Sequence, residues 1–403
     1  MGVGAARAHR ALDSLFVGSA KLIFTSGKRE LIARGAAEII DVPARGGAQA
    51  DGVFQKTIRQ AFEQARRDGQ SNPLVIGAIP FDLGEPSCLY LPRHYEWRDR
   101  AGASETASSV AGMPPLLDQR SIPDEQGFKD AVAHAIVNFR HSDIRKAVLS
   151  ATRELRFSAP VDTDRLLTSL RGQNPEGYQF RVPLPDGGEL LGVSPELLLR
   201  KHGGHIHSNP LAGSAKRQPD PERDRAAGER LLGSAKDHYE HRLVTDEVRR
   251  ILLPHCLELD VSEQPSLLAT SALWHLSTRV DGLLRDETMN ALQLACQLHP
   301  TPAVCGFPTE RARKLISLVE PFERGLFTGM VGWCDANGDG EWVVTIRCGT
   351  VKHDTVRLFA GAGIVEASEP DLEWAEIQAK LGTMLSACGL MTESLGLEAE
   401  VLS

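Results

Sequence analysis

The sequence predicts an α+β fold, in which antiparallel strands and long helices occupy separate stretches of the chain. Strand and hairpin signals follow one another over residues 178–214, where residues 186–188 (Asp-Gly-Gly) and 203–204 (Gly-Gly) mark turns. Such a run indicates an antiparallel meander rather than alternating strand–helix units. Helical periodicity instead dominates residues 224–253 and the stretch that begins near Ser368.

Composition and charge restrict the possible partners and the compartment. The 403 residues carry a net charge of −8 at pH 7, and 42% of them are hydrophobic. A nucleic-acid partner would require a basic face, so this balance argues against one. No apolar run approaches the length of a membrane span, and seven scattered cysteines without a CxxC pair indicate free thiols. We therefore expect a soluble, cytoplasmic protein that binds neither nucleic acid nor membrane.

The first 140 residues predict individual helices and strands. Residues 99–127 are rich in Ser, Ala, Gly and Pro, which predicts a surface excursion. On these residues alone, that stretch would be the only good domain boundary. The other predictions for this part are two strands within 21–35, an amphipathic helix at 51–68, a buried strand at 74–82 and a helix at 124–140.

A strand follows, in which Lys146, Val148 and Ser150 share one face while Ala and Leu residues share the other. A lysine at the start of a strand is usually a surface or edge charge. On the strand alone, that interpretation is favoured for Lys146.

The last long helix has a clear start signal. Ser368 is its predicted N-cap, Pro370 lies in the first turn, and Asp371 takes the reciprocal capping position. A glycine pair around Ala362 precedes this helix. Backbone amides can approach a ligand closely at such a pair, because glycine has no side chain.

Both long helices place carboxylates inside an apolar stripe. Glu373, Glu376 and Lys380 lie within roughly 60° of one another on the apolar side of their helix. Glu240 likewise lies among apolar residues of the helix within 224–253. For one helix alone, internal salt bridges with Arg or Lys are the favoured explanation. Two such helices without a zinc-type Cys or His set favour Mg²⁺, with Glu240 and Glu376 as candidate ligands and Glu373 close behind.

Three further patterns occur in the predicted loops and strands. His202, His205 and His207 flank a Gly-Gly hairpin, where their alternation indicates a solvated face rather than a metal site. Residues 335–340 mimic the start of an EF-hand loop, but position 12 of such a loop is Ile346, so a hairpin turn is predicted. A strand is predicted at 341–350. Within it lies an arginine at position 347 that requires a carboxylate partner, either structural or on a ligand.

No P-loop, GxGxxG or GxSxG motif occurs in the chain. Eight other blocks occur in register, and together they resemble the chorismate-utilising enzymes, a family that contains isochorismate synthases, salicylate synthases and the synthase subunits for anthranilate and aminodeoxychorismate. The blocks are KAVLSATREL, LLGVSPELLLRK, SNPLAGS, SAKDHYEH, LWHLSTRVDG, LHPTPAVCGFP, GMVGWCDANGDGEWVVTIRC and GAGIV with a following EWxEIxxK pattern.

The resemblance implies one large α+β domain, with two stacked antiparallel β-sheets flanked by helices and the site between them. The motifs are strongest over residues 140–385. Residues 1–139 would form the N-terminal part of the same domain, which would span 1–403. The boundary suggested at 99–127 is therefore dropped.

The resemblance also implies roles for individual residues. Lys146 corresponds to the general base that activates water for attack at ring C2, and Glu196 to the acid that protonates the departing C4 hydroxyl. Glu240 and Glu376 would bind Mg²⁺, which holds the ring carboxylate, and Glu373 would support them. Burial, not a neighbouring carboxylate, should deprotonate Lys146, and the pKa of Glu196 should be raised. The implied substrate contacts are Gly213, Ser214, His275, Ala303, Arg347, Gly361, Ala362, Gly363 and Lys380.

Single positions separate the branches of the family. The ammonia-using synthases carry Gln in place of Lys146, and aminodeoxychorismate synthases carry Lys in place of Ala212, so water is the expected nucleophile here. Salicylate synthases, the alternative, tend to carry Thr, Tyr and Leu where this chain has Ala303, Phe327 and Ile346. The resemblance therefore implies an isomerase, an isochorismate synthase that supplies 2,3-dihydroxybenzoate for catechol siderophores. A salicylate synthase would additionally eliminate pyruvate.

The implied partner is a small molecule, chorismate, with Mg²⁺ as the cofactor. No glutamine amidotransferase subunit is expected, and the protein should be a monomer or a weak oligomer. An alternative from another class is an inactive relative that only binds chorismate or Mg²⁺. Such a protein would have lost an acid, a base or a metal ligand, whereas Lys146, Glu196, Glu240 and Glu376 are all present.

Overall fold

A computed structural model describes residues 21–100 and 112–390. The strands in these ranges are β1 Leu22–Ser26, β2 Arg29–Ile40, β3 Leu74–Ile79, β4 Cys88–Asp99, β5 Leu116–Ile122, β6 Lys146–Phe157, β7 Tyr178–Pro183, β8 Glu189–Ser194, β9 Leu197–His202, β10 His205–Asn209, β11 Leu211–Lys216, β12 Cys256–Val261, β13 Ser266–Ala269, β14 Leu273–Ser277, β15 Val280–Leu284, β16 Gly306–Phe307, β17 Met330–Asp335, β18 Gly340–Val344, β19 Cys348–Lys352 and β20 Thr355–Ile364. The helices are α1 Val53–Arg67, α2 Glu125–Arg140, α3 Thr163–Gln173, α4 Pro221–Gly233, α5 Ala235–Leu252, α6 Ala291–Leu298, α7 Thr309–Val319 and α8 Pro370–Ala387.

Within the described ranges, seventeen strands join in one antiparallel sheet. From β6 the order runs β20, β19, β8, β7, β1, β2, β4, β3, β17, β18, β9, β10, β15 and β12, and both β5 and β16 pair with β6. Leu190 of β8 and Val343 of β18 belong to one hydrophobic core. In a flat sheet these strands would be about 34 Å apart, so the sheet must fold back into two facing layers. The predicted α+β class with stacked antiparallel sheets is confirmed, and hydrogen bonds connect the two layers.

A second sheet contains only β11, β14 and β13 in the described residues. In its register, Ser214 of β11 lies opposite His275 of β14. Helix α5 packs on β11. This small sheet therefore carries one group of the predicted substrate contacts on a single strand pair.

The outer core lies between α2, α8 and the long strands β6 and β20. Phe128 of α2, Ala147 of β6 and Ile377 of α8 are all buried in it. Because side chains alternate along β6, Lys146 and Val148 lie on the opposite face from Ala147. Among the described residues, no helix is long and apolar enough to cross a membrane.

Several local predictions are confirmed. The two strands within residues 21–35 form a hairpin, with Ser26 opposite Arg29. The predicted helices at 51–68 and 124–140 correspond to α1 and α2, and residues 178–214 form the meander β7 to β11. The turn after β17 is the predicted hairpin, in which the Asp335 carboxylate accepts from the amides of Asn337 and Asp339 at 2.9 and 3.0 Å.

The described part of residues 99–127 lies at the surface as predicted, but it contains strand β5, which pairs with β6. Residues 101–111 lie outside the described part. Two local predictions are wrong. The helix predicted within 224–253 is two helices, because Ser234 is extended and its hydroxyl caps α5 by accepting from the Asp237 amide at 3.2 Å. Ser368 is not an N-cap. Its hydroxyl accepts from the Val365 amide at 3.1 Å instead, and α8 begins after Glu369.

The predicted strand at 341–350 is interrupted at Arg347. Strand β18 ends at Val344 and β19 begins at Cys348. Between them, Arg347 has a φ of 49°, in the left-handed region that non-glycine residues rarely adopt. Alternation of side chains cannot reveal such a break, since the residues on both sides remain apolar.

Candidate active site

A cavity that opens to solvent lies where the small sheet, β20, α5 and α8 meet. Of the predicted site residues, those that line it are Glu196, Gly213, Ser214, Glu240, His275, Ala303, Arg347, Gly361, Gly363, Glu376 and Lys380. These residues are spread over about 180 positions of the sequence, and the fold brings them to one wall.

Three predicted site residues do not line this cavity. Ala362 is fully buried in the outer core, because it alternates with Gly361 and Gly363 along β20. Glu373 is 2% exposed and accepts a hydrogen bond from Lys236 at 2.8 Å. The third is Lys146, which lies behind the wall.

Lys146 is fully buried, so the interpretation as a surface charge does not hold in the fold. Its Nζ lies 2.9 Å from Oε1 of Glu240, at an angle too oblique for a hydrogen bond. The expectation that Lys146 would be buried is therefore confirmed, and Glu240 is its carboxylate neighbour. That burial deprotonates the amine stays a prediction.

The approach of Lys146 and Glu240 to the cavity depends on Gly363. A Cβ at this position would lie 2.1 Å from Oε1 of Glu240 and 3.0 Å from Cε of Lys146. The first distance would force the end of the Glu240 side chain to move, and the second would displace Lys146 slightly. Glycine at this point of β20 thus leaves room for the ion pair.

Glu196 occupies the turn between β8 and β9 and is 3% exposed. Its carboxylate accepts a long hydrogen bond of 3.4 Å from the Leu211 amide. Burial raises the pKa of Glu196 to about 7, against the opposing effects of that bond and of the cations Lys146, Arg347 and Lys380. A carboxyl group in this state can hold a proton at neutral pH and deliver it to a substrate in the cavity.

Arg347 and His275 form a buried pair on the cavity wall. Nη2 of Arg347 donates to Nε2 of His275 at 3.2 Å, since a guanidinium can only donate. Burial, and next the charge of Arg347, lowers the pKa of His275 well below its usual range, so the imidazole is neutral. Burial lowers the pKa of Arg347 to about 10. No described carboxylate forms a salt bridge with Arg347, which leaves its guanidinium available for an anionic ligand.

The three candidate metal ligands each face a lysine. Glu240 contacts Lys146, Glu373 accepts from Lys236, and Glu376 accepts from Lys380. Burial and the charge of Glu376 raise the pKa of Glu373.

Burial also acts to raise the pKa of Glu376, but Lys380 and Lys236 outweigh it and the pKa is lowered. Within residues 21–100 and 112–390, no three His, Cys, Asp or Glu side chains are arranged as a metal cage. Of the three candidate metal ligands, Glu240 and Glu376 line the cavity.

Part of the cavity lining is apolar. Ala303, Phe327 and Ile346 all line it. Thr328 also lines it and carries a hydroxyl, but that hydroxyl donates to the Phe327 carbonyl at 2.6 Å. No free hydroxyl is therefore offered by these four residues.

Ten further residues line the cavity. Sequence signals existed for four of them: Ala212, Phe327 and Ile346 are positions that separate branches of the family, and Val148 shares a strand face with Lys146. Thr328 and Phe359 come from segments without a distinctive motif, and only the folded chain places them on the wall. The lining residues that were not predicted as site residues are Val148, Pro195, Leu211, Ala212, Val304, Phe327, Thr328, Ile346, Phe359 and Ala360.

Comparison with known proteins identifies the family to which the chain belongs. The model of a family described as chorismate binding enzyme matches residues 93–389. The chain belongs to this chorismate-binding enzyme family. The match includes every residue that lines the cavity, so the family assignment covers the site as well as the fold.

Similarity to individual family members extends over nearly the whole chain. Isochorismate synthase EntC of Escherichia coli is 45% identical over 372 residues, which cover 92% of this chain and 95% of that protein. The vibriobactin-specific isochorismate synthase of Vibrio cholerae is 43% identical and covers 82% of this chain and 83% of its own length. A crystal structure from Bacillus anthracis, assigned as a 2,3-dihydroxybenzoate-specific isochorismate synthase, superposes with a TM-score of 0.86 at 38% identity, covering 95% of this chain and 100% of that one.

Proposed function

We propose that this family member is an isochorismate synthase, which converts chorismate to isochorismate. The observation that carries the proposal is the buried Glu196 carboxyl on the cavity wall, whose pKa is raised to about 7 by burial. The strong similarity to proteins named isochorismate synthase supports the same activity.

The proposed reaction conserves all atoms. The oxygen of water forms a bond to ring C2, the ring double bonds shift, and the bond from C4 to its hydroxyl oxygen breaks. Lys146 accepts the proton that the attacking water loses. Glu196 gives its proton to the departing hydroxyl, which leaves as water. The product is an isomer of the substrate, so no oxidant or reductant is consumed.

Glu196 suits the acid role because burial keeps it protonated near neutral pH. Lys146 suits the base role only when its amine is neutral and can contact water. In the structure its Nζ contacts Glu240, and Gly363, which lines the cavity, lies beside its Cε. The Glu240 carboxylate must therefore move away from Nζ before Lys146 can accept a proton.

Arg347 is the proposed partner of the enolpyruvyl carboxylate. Its guanidinium is buried on the wall without a carboxylate in salt-bridge contact among the described residues. The backbone at Gly361 and Gly363 lies on the same wall, with the Gly361 carbonyl accepting from Lys380 at 2.8 Å. Two cations close to the cavity suit a substrate that carries two carboxylates.

Mg²⁺ is the proposed cofactor, and the donor set fits it. This ion is usually held by one or two carboxylates together with water and an anionic substrate. Glu240 and Glu376 supply two carboxylates on the cavity wall. Glu373, off the wall and bound to Lys236, would support them. When bound, Mg²⁺ neutralises the ring carboxylate of chorismate and fixes its orientation.

We further propose that the product stays isochorismate and serves 2,3-dihydroxybenzoate formation for a catechol siderophore. Elimination of pyruvate requires the enolpyruvyl side chain to bend over the ring. Ala303, Phe327 and Ile346 cannot hydrogen-bond that side chain, and the Thr328 hydroxyl is already engaged. Each such contact is worth only about 1 kcal/mol, so traces of salicylate are compatible with the proposal.

Incubation of the purified protein with chorismate and Mg²⁺, followed by chromatography, tests the activity. Isochorismate in equilibrium with chorismate is the expected main product at neutral pH. Salicylate and pyruvate formed at the rate of chorismate loss would identify a salicylate synthase instead. Unchanged chorismate that nevertheless binds would identify an inactive family member.

A further inference from the structure

A buried ion pair lies behind the cavity wall and outside the residues considered so far. Nε of Arg324 donates to Oε2 of Glu320 at 2.7 Å, and Nη2 donates to Oε1 at 2.5 Å. Only 3% of the Arg324 side chain and 4% of the Glu320 side chain are exposed. Neither residue lines the cavity.

The remaining bonds of Arg324 all go to residues that line the cavity. Its Nη2 donates to the Val148 carbonyl at 2.7 Å, and its Nη1 donates to the Val304 carbonyl at 2.8 Å. Nη1 also donates to Oγ1 of Thr328 at 3.3 Å. With the two bonds to Glu320, all five N–H donors of the guanidinium are used.

Glu320 adds a second connection to the strand that carries the proposed base. Its Oε1 accepts from the Ser150 amide at 2.8 Å, while Arg324 holds the Val148 carbonyl. Both backbone groups belong to β6, two and four residues after Lys146. The ion pair therefore fixes β6 relative to the segments of Val304 and Thr328.

The backbone of Thr328 shows why the bonds from Arg324 are needed. Its φ is 58°, in the left-handed region that is strained for a β-branched residue. The Thr328 hydroxyl donates to the Phe327 carbonyl and accepts from Arg324. Surrounding contacts must hold a residue in this conformation, because the free backbone would leave it.

We propose that Arg324, fixed by Glu320, is a positioning residue for the active site. Arg324 sets the distance between strand β6, which carries Lys146, and the part of the cavity wall formed by Val304 and Thr328. In this way it determines where the substrate ring lies relative to the proposed base and acid. The proposal rests on the proposed isochorismate synthase activity. It concerns geometry only, since Arg324 touches neither the cavity nor the reacting atoms.

The test compares Arg324→Met with a matched control, Arg181→Met. Arg181 is also a buried arginine, 6% exposed in its side chain, with four hydrogen bonds to Glu189, Asp164 and Thr163, none of which lines the cavity. Steady-state kcat and KM for chorismate are measured and normalised to the folded fraction by circular dichroism. Arg324→Met should raise KM and lower kcat/KM by about 10²-fold, the effect of a misplacement near 1 Å. Arg181→Met should keep the wild-type KM.

Two milder variants keep the test decisive if Arg324→Met does not fold. Glu320→Gln keeps a hydrogen-bond acceptor for the Ser150 amide, so its kcat/KM should lie between those of wild type and Arg324→Met. Thr328→Val, which loses the hydroxyl bonds, should raise KM in the same direction.

Wild-type KM in all of these variants, with activity lost only in proportion to the unfolded fraction, would overturn the positioning role. A wild-type protein that forms no isochorismate would instead refute the proposed function on which the role depends.

Discussion

Burial of Glu196 favours the protonated form, which is the form that its proposed role as an acid requires. The pKa is raised to about 7, chiefly by burial, although Lys146, Arg347 and Lys380 all favour the charged form. The acid role requires the protonated form, which is lost as pH rises through that value. The pH profile of kcat/KM for chorismate should therefore have a limb near pH 7 that reports loss of the Glu196 proton. On this limb kcat/KM should be highest below pH 7 and should fall roughly tenfold per pH unit well above pH 7.

Glu196→Gln is the variant that checks this pH dependence. Its kcat/KM should be lower by roughly 10²- to 10⁴-fold and should lack the limb near pH 7. Glu341→Gln is a suitable control, because Glu341 is also 3% exposed and its pKa is also raised by burial, but it pairs with Arg200 away from the cavity. A Glu196→Gln profile that retains the limb would assign it to another group.

Lys146 is the second residue whose role can be isolated. Lys146→Ala should lower kcat by roughly 10²- to 10⁴-fold, because a positioned proton acceptor is lost. The matched control is Lys201→Ala, since Lys201 is also buried, with a side chain 2% exposed and 3.6 Å from Asp339, outside the cavity. Near-normal turnover in Lys146→Ala, with the control equally active, would place water activation elsewhere.

At the scale of elements, helices α5 and α8 each contribute one carboxylate to the cavity wall, and the bond from Lys236 to Glu373 joins the two helices. Glu240→Gln and Glu376→Gln should each abolish turnover, as should removal of Mg²⁺ with a chelator. Glu373→Gln should be less damaging, because Glu373 lies off the wall and binds Lys236. Turnover of the wild-type protein is measured in chelator and again after Mg²⁺ is added back, which should restore activity.

A second comparison separates this effect from damage to helix α5. Glu247→Gln changes a carboxylate of the same helix that pairs with Arg250 and does not line the cavity. It should leave activity and the Mg²⁺ requirement unchanged. Full wild-type turnover in chelator would contradict the metal assignment, whatever the variants show.

The elements also show what a sequence can and cannot reveal. Periodicity correctly placed Glu373 and Glu376 on the buried side of α8, because helical spacing is local. It could not show that Lys146 would meet Glu240, since that contact joins β6 to α5 across 94 positions and depends on Gly363. The break at Arg347 escaped prediction because a single left-handed residue leaves the apolar pattern intact.

At the scale of the whole molecule, the α+β class followed from the hairpins, but the course of the sheet did not. Its closure depends on strand pairs distant in the chain, such as Val331 of β17 with Ala78 of β3. The Arg324–Glu320 pair was missed for a related reason. Its spacing of four residues is a common salt-bridge pattern, and only the fold shows that its bonds reach Val148, Val304 and Thr328.

The central claim is that solvent water supplies the new hydroxyl at C2, with Lys146 and Glu196 moving the protons. Turnover of chorismate in water enriched in oxygen-18, followed by mass spectrometry of the separated products, tests it most directly. Isochorismate should carry one heavy oxygen at C2 from the earliest time points, and chorismate incubated without enzyme should carry none. Isochorismate that forms at the normal rate without the heavy oxygen would contradict the account, because the hydroxyl would then have moved within the substrate.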